Sequence, residues 1–304
     1  MKDLTNQATN KLNIVGKLLD ATFREGETKD HKPYESCNFT VRVKQMVNGV
    51  EEVSEIPVSL FASKYTNAGA PHPGYKNIQD MKTMKTVQDY GEAEASMVRM
   101  TSAAVRENNY VSRNGQLINT WQIGTSFISE GGKSEIASFN IEVYIMDMHP
   151  EYDKEGEETG RLILKGAIVQ YGGKLDIIEF IVEGADKVNY VSRNWEINNT
   201  VNIGGRVRYT SKEVNRAASE NSWGEEIPEA STQMVRELII TRGSEEPFDE
   251  EFAYDPNEIR KAFNVRKALL EQMQIDAKNN SNKKSAAAPA AAPQTNGASK
   301  YNWE

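Results

Sequence analysis

The chain has 304 residues, 38% of them hydrophobic, and a formal net charge of −8. That length is enough for two domains and a tail, each domain burying its own core. No apolar run reaches the about 18 residues of a membrane-spanning helix, and a lone cysteine, Cys37, excludes an internal disulfide and fits a reducing cytoplasm.

The start, MKDLTNQATNKL, lacks the apolar core of a signal peptide, and residues 1–10 read as a polar, unpaired arm. Strand character begins with NKLNIVGKLLDATF, which carries Gly16. In CNFTVRVKQM, Phe39, Val41 and Val43 alternate with Thr40, Arg42 and Lys44, and VEEVSEIPVSLFAS alternates through Val53, Ile56, Val58 and Leu60. Period-two spacing puts residues i and i+2 on one face of a strand. Asn48-Gly49 between two such runs is a hairpin signal, because both residues tolerate positive φ. The stretch from Leu12 to Ser63 is therefore a three-stranded meander with one face buried and Arg42 and Lys44 on the other. Cys37 within it is a small buried hydrophobe.

Residues 64–92 hold prolines, glycines and a helix-like middle, with Ile78, Met81 and Met84 or Lys85 at i, i+3 spacing. From Ala95 a further strand leads into RENNYVSRNGQ, a polar hairpin tip carrying Arg106, Tyr110 and Arg113. Leu117 to Ile128 returns with Trp121, Ile123 and Phe127. ASFNIEVYIMDM, Ala137 to Met148, alternates cleanly and reads as an extra strand of a first domain, 1–149. Acids and glycines in PEYDKEGEETG mark 150–160 as an acidic linker.

A second domain, 161–250, repeats the grammar. RLILKGAIVQYGG matches the opening strand, with Gly166 where Gly16 stood, and KLDIIEFIVEG is its second strand. ADKVNYVSRNW spaces Val188, Val191 and Trp195 as a helix does. NNTVNIGGRVRYTS and TQMVRELIITRG are strands four and five, around a long acidic loop, 213–231. NYVSRN occurs at 109–114 and again at 189–194, in elements assigned differently; either this is coincidence in a polar hexamer or one register is misplaced. Residues 251–278 read as a C-terminal helix started by Asp255-Pro256, with Ile259, Phe263, Leu270 and Met273 on one face; it packs on its own domain or serves an oligomer contact. From 279 to 304 the composition is low-complexity and disordered, ending in KYNWE.

The order NKLNIVGKL, NFTVRV, VSLFASKYTNAG, and then ASMVRMTSAAVRENNYVSRNGQLINTWQIG resembles the oligonucleotide-binding (OB) fold of the bacterial and phage single-stranded DNA-binding protein family, over roughly residues 10–130. The resemblance implies an OB-fold barrel there, with a helix from 64–92 plugging its end. With the second unit, whose pairing follows from order and spacing, and the helix and tail read above, the expectation is a mostly β protein of two OB-fold-like five-stranded barrels with a C-terminal helix and a disordered tail. The resemblance also implies a non-enzymatic protein that coats single-stranded DNA in replication or recombination, without sequence preference. Phe61 matches the family's stacking phenylalanine, and Tyr110 stands near where the family often places another aromatic. The family's strand tryptophan is missing between Val41 and Glu55. The tip Tyr301, Trp303 and Glu304 resembles the family's partner-docking tail, which recruits replication enzymes, although the family tip has several acids. A phage or mobile-element origin is suggested, with a host cytoplasm as the location.

Sequence-tolerant binding of single strands needs aromatic faces for bases, worth about 1–3 kcal/mol each, and cations for phosphates, each adding roughly 0.7 to the log–log salt slope. Trp121 and Phe39 join Phe61 and Tyr110 as stacking candidates, although large strand residues are often core. Arg42, Lys44, Arg99, Arg106 and Arg113 are candidate phosphate contacts. In the second domain, RVRY alternates cation and aromatic and nominates Arg206, Arg208 and Tyr209, with Tyr171 beside them. The negative charge does not oppose this. Residues 1–130 are net 0 and 161–216 net +3, whereas the acidity sits in 131–160 (−6) and 217–258 (−10), and 259–304 is +5; charges beyond about 10 Å are largely screened at 0.1 M salt. No cofactor is implied. His31, His72 and His149 are scattered, so no zinc site is expected, GAPHPGYK lacks the Lys-Ser/Thr pair of a phosphate loop, and no nucleophile has a base at a known spacing. The competing classes are a structural or assembly protein whose β domains oligomerise, and an RNA-binding or recombination-mediator module on the same fold.

Overall fold

The alternation in the first sixty residues produces three long strands: β1 (Asn10–Glu27), β2 (Pro33–Val47) and β3 (Val50–Ser63). Asn48 and Gly49 take φ of 52° and 82° in the two-residue turn that pairs Val47 with Val50. In the computed structural model, the backbone is described for residues 1–112, 114–215, 219–220, 226–227 and 230–286. Helix α1 (Pro73–Met81) follows, capped by the His72 imidazole, whose Nδ1 accepts from Gly74 N at 3.1 Å, then a short α2 (Val87–Tyr90). The remaining strands are β4 (Met97–Glu107), β5 (Tyr110–Val111), β6 (Leu117–Ile118), β7 (Trp121–Thr125), β8 (Ser129–Glu130), β9 (Ile136–Tyr152), β10 (Glu158–Val169) and β11 (Leu175–Val182). After α3 (Ala185–Asn194) come β12 (Thr200–Asn215), β13 (Ser219–Glu220), β14 (Glu226–Ile227) and β15 (Ala230–Gly243), and the last described element is α4 (Pro256–Ala286).

Eleven strands join in one sheet, ordered β10-β11-β15-β12-β9-β1-β2-β3-β7-β4-β8, with extra pairings β1–β4 and β9–β10. Those two pairings close two five-strand circuits. The first runs β1-β2-β3-β7-β4 and back to β1; the second runs β9-β10-β11-β15-β12 and back to β9. Each contains one parallel pair, β3–β7 and β11–β15. The circuits share an edge, because Asn10–Val15 of β1 pairs antiparallel with Ile136–Ile141 of β9. At Gly16, β1 passes from that partner to β2, and a Cβ there would stand 2.2 Å from the Arg42 carbonyl oxygen. Only glycine allows this approach. Gly205 plays the same part at a bulge in β12, where a Cβ would meet Ile239 O at 1.9 Å.

The strand count in the second half differs from the expectation by one. ASFNIEVYIMDM is β9, the first strand of the second circuit, so RLILKGAIV is its second and LDIIEFIV its third. Gly166 therefore lies on β10 opposite Ile145 and is no counterpart of Gly16. Residues 150–160 run through the end of β9, a turn and the start of β10. There Tyr152 pairs with Glu158, and the Asp153 carboxylate accepts the N–H of Glu155 and of Glu157 at 3.0 and 2.9 Å. Acids and glycine close this turn, Gly156 having φ 85°. Of the two NYVSRN copies, the first has Tyr110 and Val111 in β5, whereas the second lies inside α3, where Val191 and, behind it, Trp195 are buried.

Burial follows the patterns. Ile78 and Met81 of α1 close one end of the first circuit, and Asn77 is held by Ile128 in both directions, donating to its carbonyl at 2.6 Å and accepting its N–H at 2.8 Å. The buried residues of both circuits belong to one hydrophobic cluster, and within the second circuit the Phe139 and Phe180 rings are 5.9 Å apart. The arm 1–10, expected to be unpaired, is tied down: Lys2 bridges to Tyr254, its Nζ lies 2.6 Å from Glu142 and 4.7 Å from the Tyr254 ring centre, and Ala8 is buried. Tyr254, itself buried, donates its hydroxyl to Asn6 O at 2.8 Å. Of the expected α4 face, Ile259 and Phe263 pack inward and Leu270 is half-buried, but Met273 is exposed. No helix among the described residues is long and apolar enough to cross a membrane.

Candidate nucleic-acid interface

Outward residues of the first circuit align in rungs across the strands. One rung is Thr22, Asn38, Ser59, Gly124 and Ala104, from β1, β2, β3, β7 and β4 in turn. Five strands at about 4.8 Å spacing make this a floor of about 19 Å, paved with small side chains. Two residues along, the next rung carries Arg24, Ser36 and Phe61. Phe61 is 56% exposed, its ring 4.9 Å from that of Tyr34, and Arg24 is exposed with no carboxylate partner among the described residues. On the opposite side, Asp20, Thr40 and Pro57 form a rung, with Gln122 and its cross-strand neighbour Arg106 continuing it on β7 and β4.

Beyond that rung stands a wall. Trp121, the first residue of β7, meets Tyr209 of β12 edge to face at 6.5 Å, and the Arg236 guanidinium of β15 lies 6.0 and 5.9 Å from the two ring centres. Tyr209 and Arg236 are cross-strand partners in the β12–β15 hairpin. The groove between floor and wall has a volume of about 280 Å³ and is lined by both circuits. Guanidinium over ring is a favourable cation–π geometry, and it leaves a planar surface beside a positive charge.

The expected site residues separate into groups. Trp121 and Tyr209 line this groove, Arg106 is the cross-strand neighbour of its Gln122, and Phe61 stands one rung along β3 from its Ser59; Tyr110, 49% exposed in β5, follows Arg106 in the hairpin. Phe39 points inward at 2% exposure, which leaves its ring no face for a base. Arg42 and Lys44 lie on the outward side, but carboxylates engage them. Arg42 bonds Glu55 and Glu92, each at 2.9 Å, and Lys44 bonds Glu92 at 2.7 Å. The Glu92 carboxyl is held below its ordinary pKa by the bond from Lys44 and then Arg42, against partial burial. Arg99 is exposed on β4 beside β8, and Tyr171, 88% exposed, sits in the turn between β10 and β11; neither lines the groove. Arg206 and Arg208 are held in an ionic chain. Arg206 bonds Glu52 and Glu183, both at 2.5 Å; Arg208 bonds Glu52 at 3.1 Å and Glu237 at 2.8 Å; Arg161 continues to Glu237 at 2.5 Å. Arg113, Tyr301, Trp303 and Glu304 lie outside the described residues.

Burial, then Glu35 and Asp20, push the Cys37 thiol up to about 12, so it is no nucleophile. Burial, then Glu107, raises Asp176 to about 6. Glu107 is a junction: it accepts Ile177 N at 2.8 Å and the Arg266 guanidinium from α4.

A YorF family model matches residues 8–276. The chain belongs to the YorF family. The YorF-family chain is similar in structure to the wild-type single-stranded DNA binding protein from Thermus aquaticus, at 9% identity and a TM-score of 0.48, with 80% of this chain and 95% of that one covered. It is also similar to a deletion mutant of the same protein, at 11% identity and a TM-score of 0.46, covering 80% and 97%. No curated protein matches. Sequence reasoning on this YorF-family member missed Arg236, Arg24 and Tyr34. Arg24 and Tyr34 were within reach, since each shares period-two parity with an outward residue on its own strand. Arg236 becomes visible only once β12 and β15 are paired.

Proposed function

We propose that this protein binds single-stranded DNA without sequence preference and without catalysis, coating it in replication or recombination in a bacterial host cytoplasm. One observation carries the reading: a floor of small side chains lies between an exposed aromatic–arginine rung, Phe61 and Arg24, and an aromatic–arginine wall, Trp121, Tyr209 and Arg236. Stacking surfaces and cations flanking one open channel are what sequence-tolerant single-strand binding requires. Each circuit, five strands with one parallel closure, is read as an OB-like barrel, and the division at 150–160 as the passage between two such units. The bases lie over the floor against Phe61 and Trp121, with Tyr110 at the hairpin end, while Arg24, Arg106 and Arg236 meet phosphates. Phe39, Arg42, Lys44, Arg206 and Arg208 have no place in this contact set. The engagement of those four cations by carboxylates is the observation that favours a second reading, a non-catalytic assembly protein. Fluorescence anisotropy of labelled oligo-dT decides between them. Saturable binding at 50 mM salt that weakens at 200 mM, with duplex bound more weakly, supports the first; a flat titration at 50 mM would sink it.

A further inference from the structure

The groove wall is supplied by the second circuit, yet its floor belongs to the first, so something must hold the two in register. Glu52 does this by position. It lies on β3, its side chain 17% exposed, and it accepts from Arg206 Nη1 at 2.5 Å and Arg208 Nε at 3.1 Å, both on β12. Two residues along β3, the buried Ser54 Oγ accepts the backbone N–H of Tyr209 at 3.2 Å. The alternating arginines of RVRY are thus turned to one carboxylate of the other circuit, and the tyrosine that ends the motif is delivered to Trp121. Glu183 and Glu237 complete the coordination of both guanidiniums. Charge-assisted bonds from two guanidiniums to the two oxygens of one carboxylate fix geometry as well as adding energy.

We infer that the groove is one composite site per chain and that Glu52 is a positioning residue for it, acting through Tyr209. The inference rests on the single-strand-binding reading above. Arg206 and Arg208 then serve the site without touching its ligand, and neither circuit alone presents a complete channel.

The test is a double-mutant cycle in the full chain, with oligo-dT affinity read by anisotropy and folding checked by circular dichroism. Glu52→Gln keeps the shape and removes the charge. It should weaken binding five- to twentyfold in the wild-type background and less than twofold when Tyr209→Ala is already present, and Glu52→Asp should recover part of the loss. Equal weakening in both backgrounds, or none in either, would overturn the inference. Should Glu52→Gln fail to fold, Ser54→Ala enters the same cycle, with a two- to fivefold loss that vanishes in the Tyr209→Ala background and the same overturning results. Phe61→Ala separates the groove from the clasp. If it weakens binding while the cycle is additive, the groove stands and the clasp falls; if the wild-type chain binds no oligo-dT, both fall.

Discussion

Replacing Phe61 by Ala removes a ring that is 56% exposed on the outward side of β3. Folding should tolerate this well. Within the protein the ring gives up its tilted pairing with Tyr34 at 4.9 Å, and such pairs contribute about 0.5–1.5 kcal/mol. Binding should respond more. Loss of one stacked base costs about 1–3 kcal/mol, a factor of about 5 to 150 in Kd at 1.4 kcal/mol per tenfold. Tyr34 remains beside the vacated place and offers a partial substitute, so the lower end, about 5- to 20-fold, is expected. The assay is anisotropy with labelled oligo-dT at 50 and 200 mM salt, beside Met46→Ala, an exposed apolar truncation on the same hairpin far from the floor. Because stacking is uncharged, the ratio of variant to wild-type Kd should be alike at both salts. A Phe61→Ala Kd within twofold of wild type, or no weaker than that of Met46→Ala, would refute the placement of bases on this face.

Arg24→Ala should behave differently: a modest loss in affinity and a log–log salt slope shallower by about 0.7, measured over the same titrations; an unchanged slope would remove Arg24 from the phosphate contacts. Asp176 has its folded pKa raised from 3.8 to about 6, so its neutral form is favoured in the native state and its contribution declines as pH rises from 4 to 6. Two pK units correspond to about 3 kcal/mol at most, and partial solvation reduces this to on the order of 1–2. Asp176→Asn should remove that decline, so the stability of wild type relative to the variant should fall in urea melts between pH 4 and 7; a difference that is flat or rises across the window would contradict the assignment. Gly16→Ala should destabilise by more than about 2 kcal/mol in the same melts, because its Cβ meets a backbone oxygen with no room to yield; a neutral result would mean β1 is not pinched there. Cys37 should resist thiol reagents at pH 8 until the chain is unfolded, as a burst of native labelling would disprove its burial.

Much of the fold was legible because period-two alternation and turn chemistry are local. The Val41/Val43 pattern, the Asn48-Gly49 turn, and the helical spacing of Ile78 and Met81 or Val191 and Trp195 each reports its own surroundings. What sequence could not supply was partnership. ASFNIEVYIMDM alternates equally well as the last strand of one circuit or the first of the next, and only pairing with both β1 and β10 decides. The acidic run at 150–160 has the composition of a linker and of a solvated turn alike. Cations posed the same difficulty at the site. Arg42, Lys44, Arg206 and Arg208 have the chemistry of phosphate contacts, but Glu55, Glu92 and Glu52 reach them from elsewhere in the chain, and no spacing rule announces those encounters. The exposure of Phe61 was readable from the period-two parity of β3, and the burial of Phe39 from its opposite parity to the outward residues of β2.

The seam between β1 and β9 has a practical corollary for anyone cutting the gene. A fragment that stops before Ile136 strips the backbone of Asn10 through Val15 of its hydrogen-bonding neighbour on that side. A fragment beginning at Ile136 leaves β9 bare in the same way. Either half would carry a raw strand margin eager to recruit another copy, so poor solubility of isolated halves would report a torn seam and not a failure of either half to take its shape.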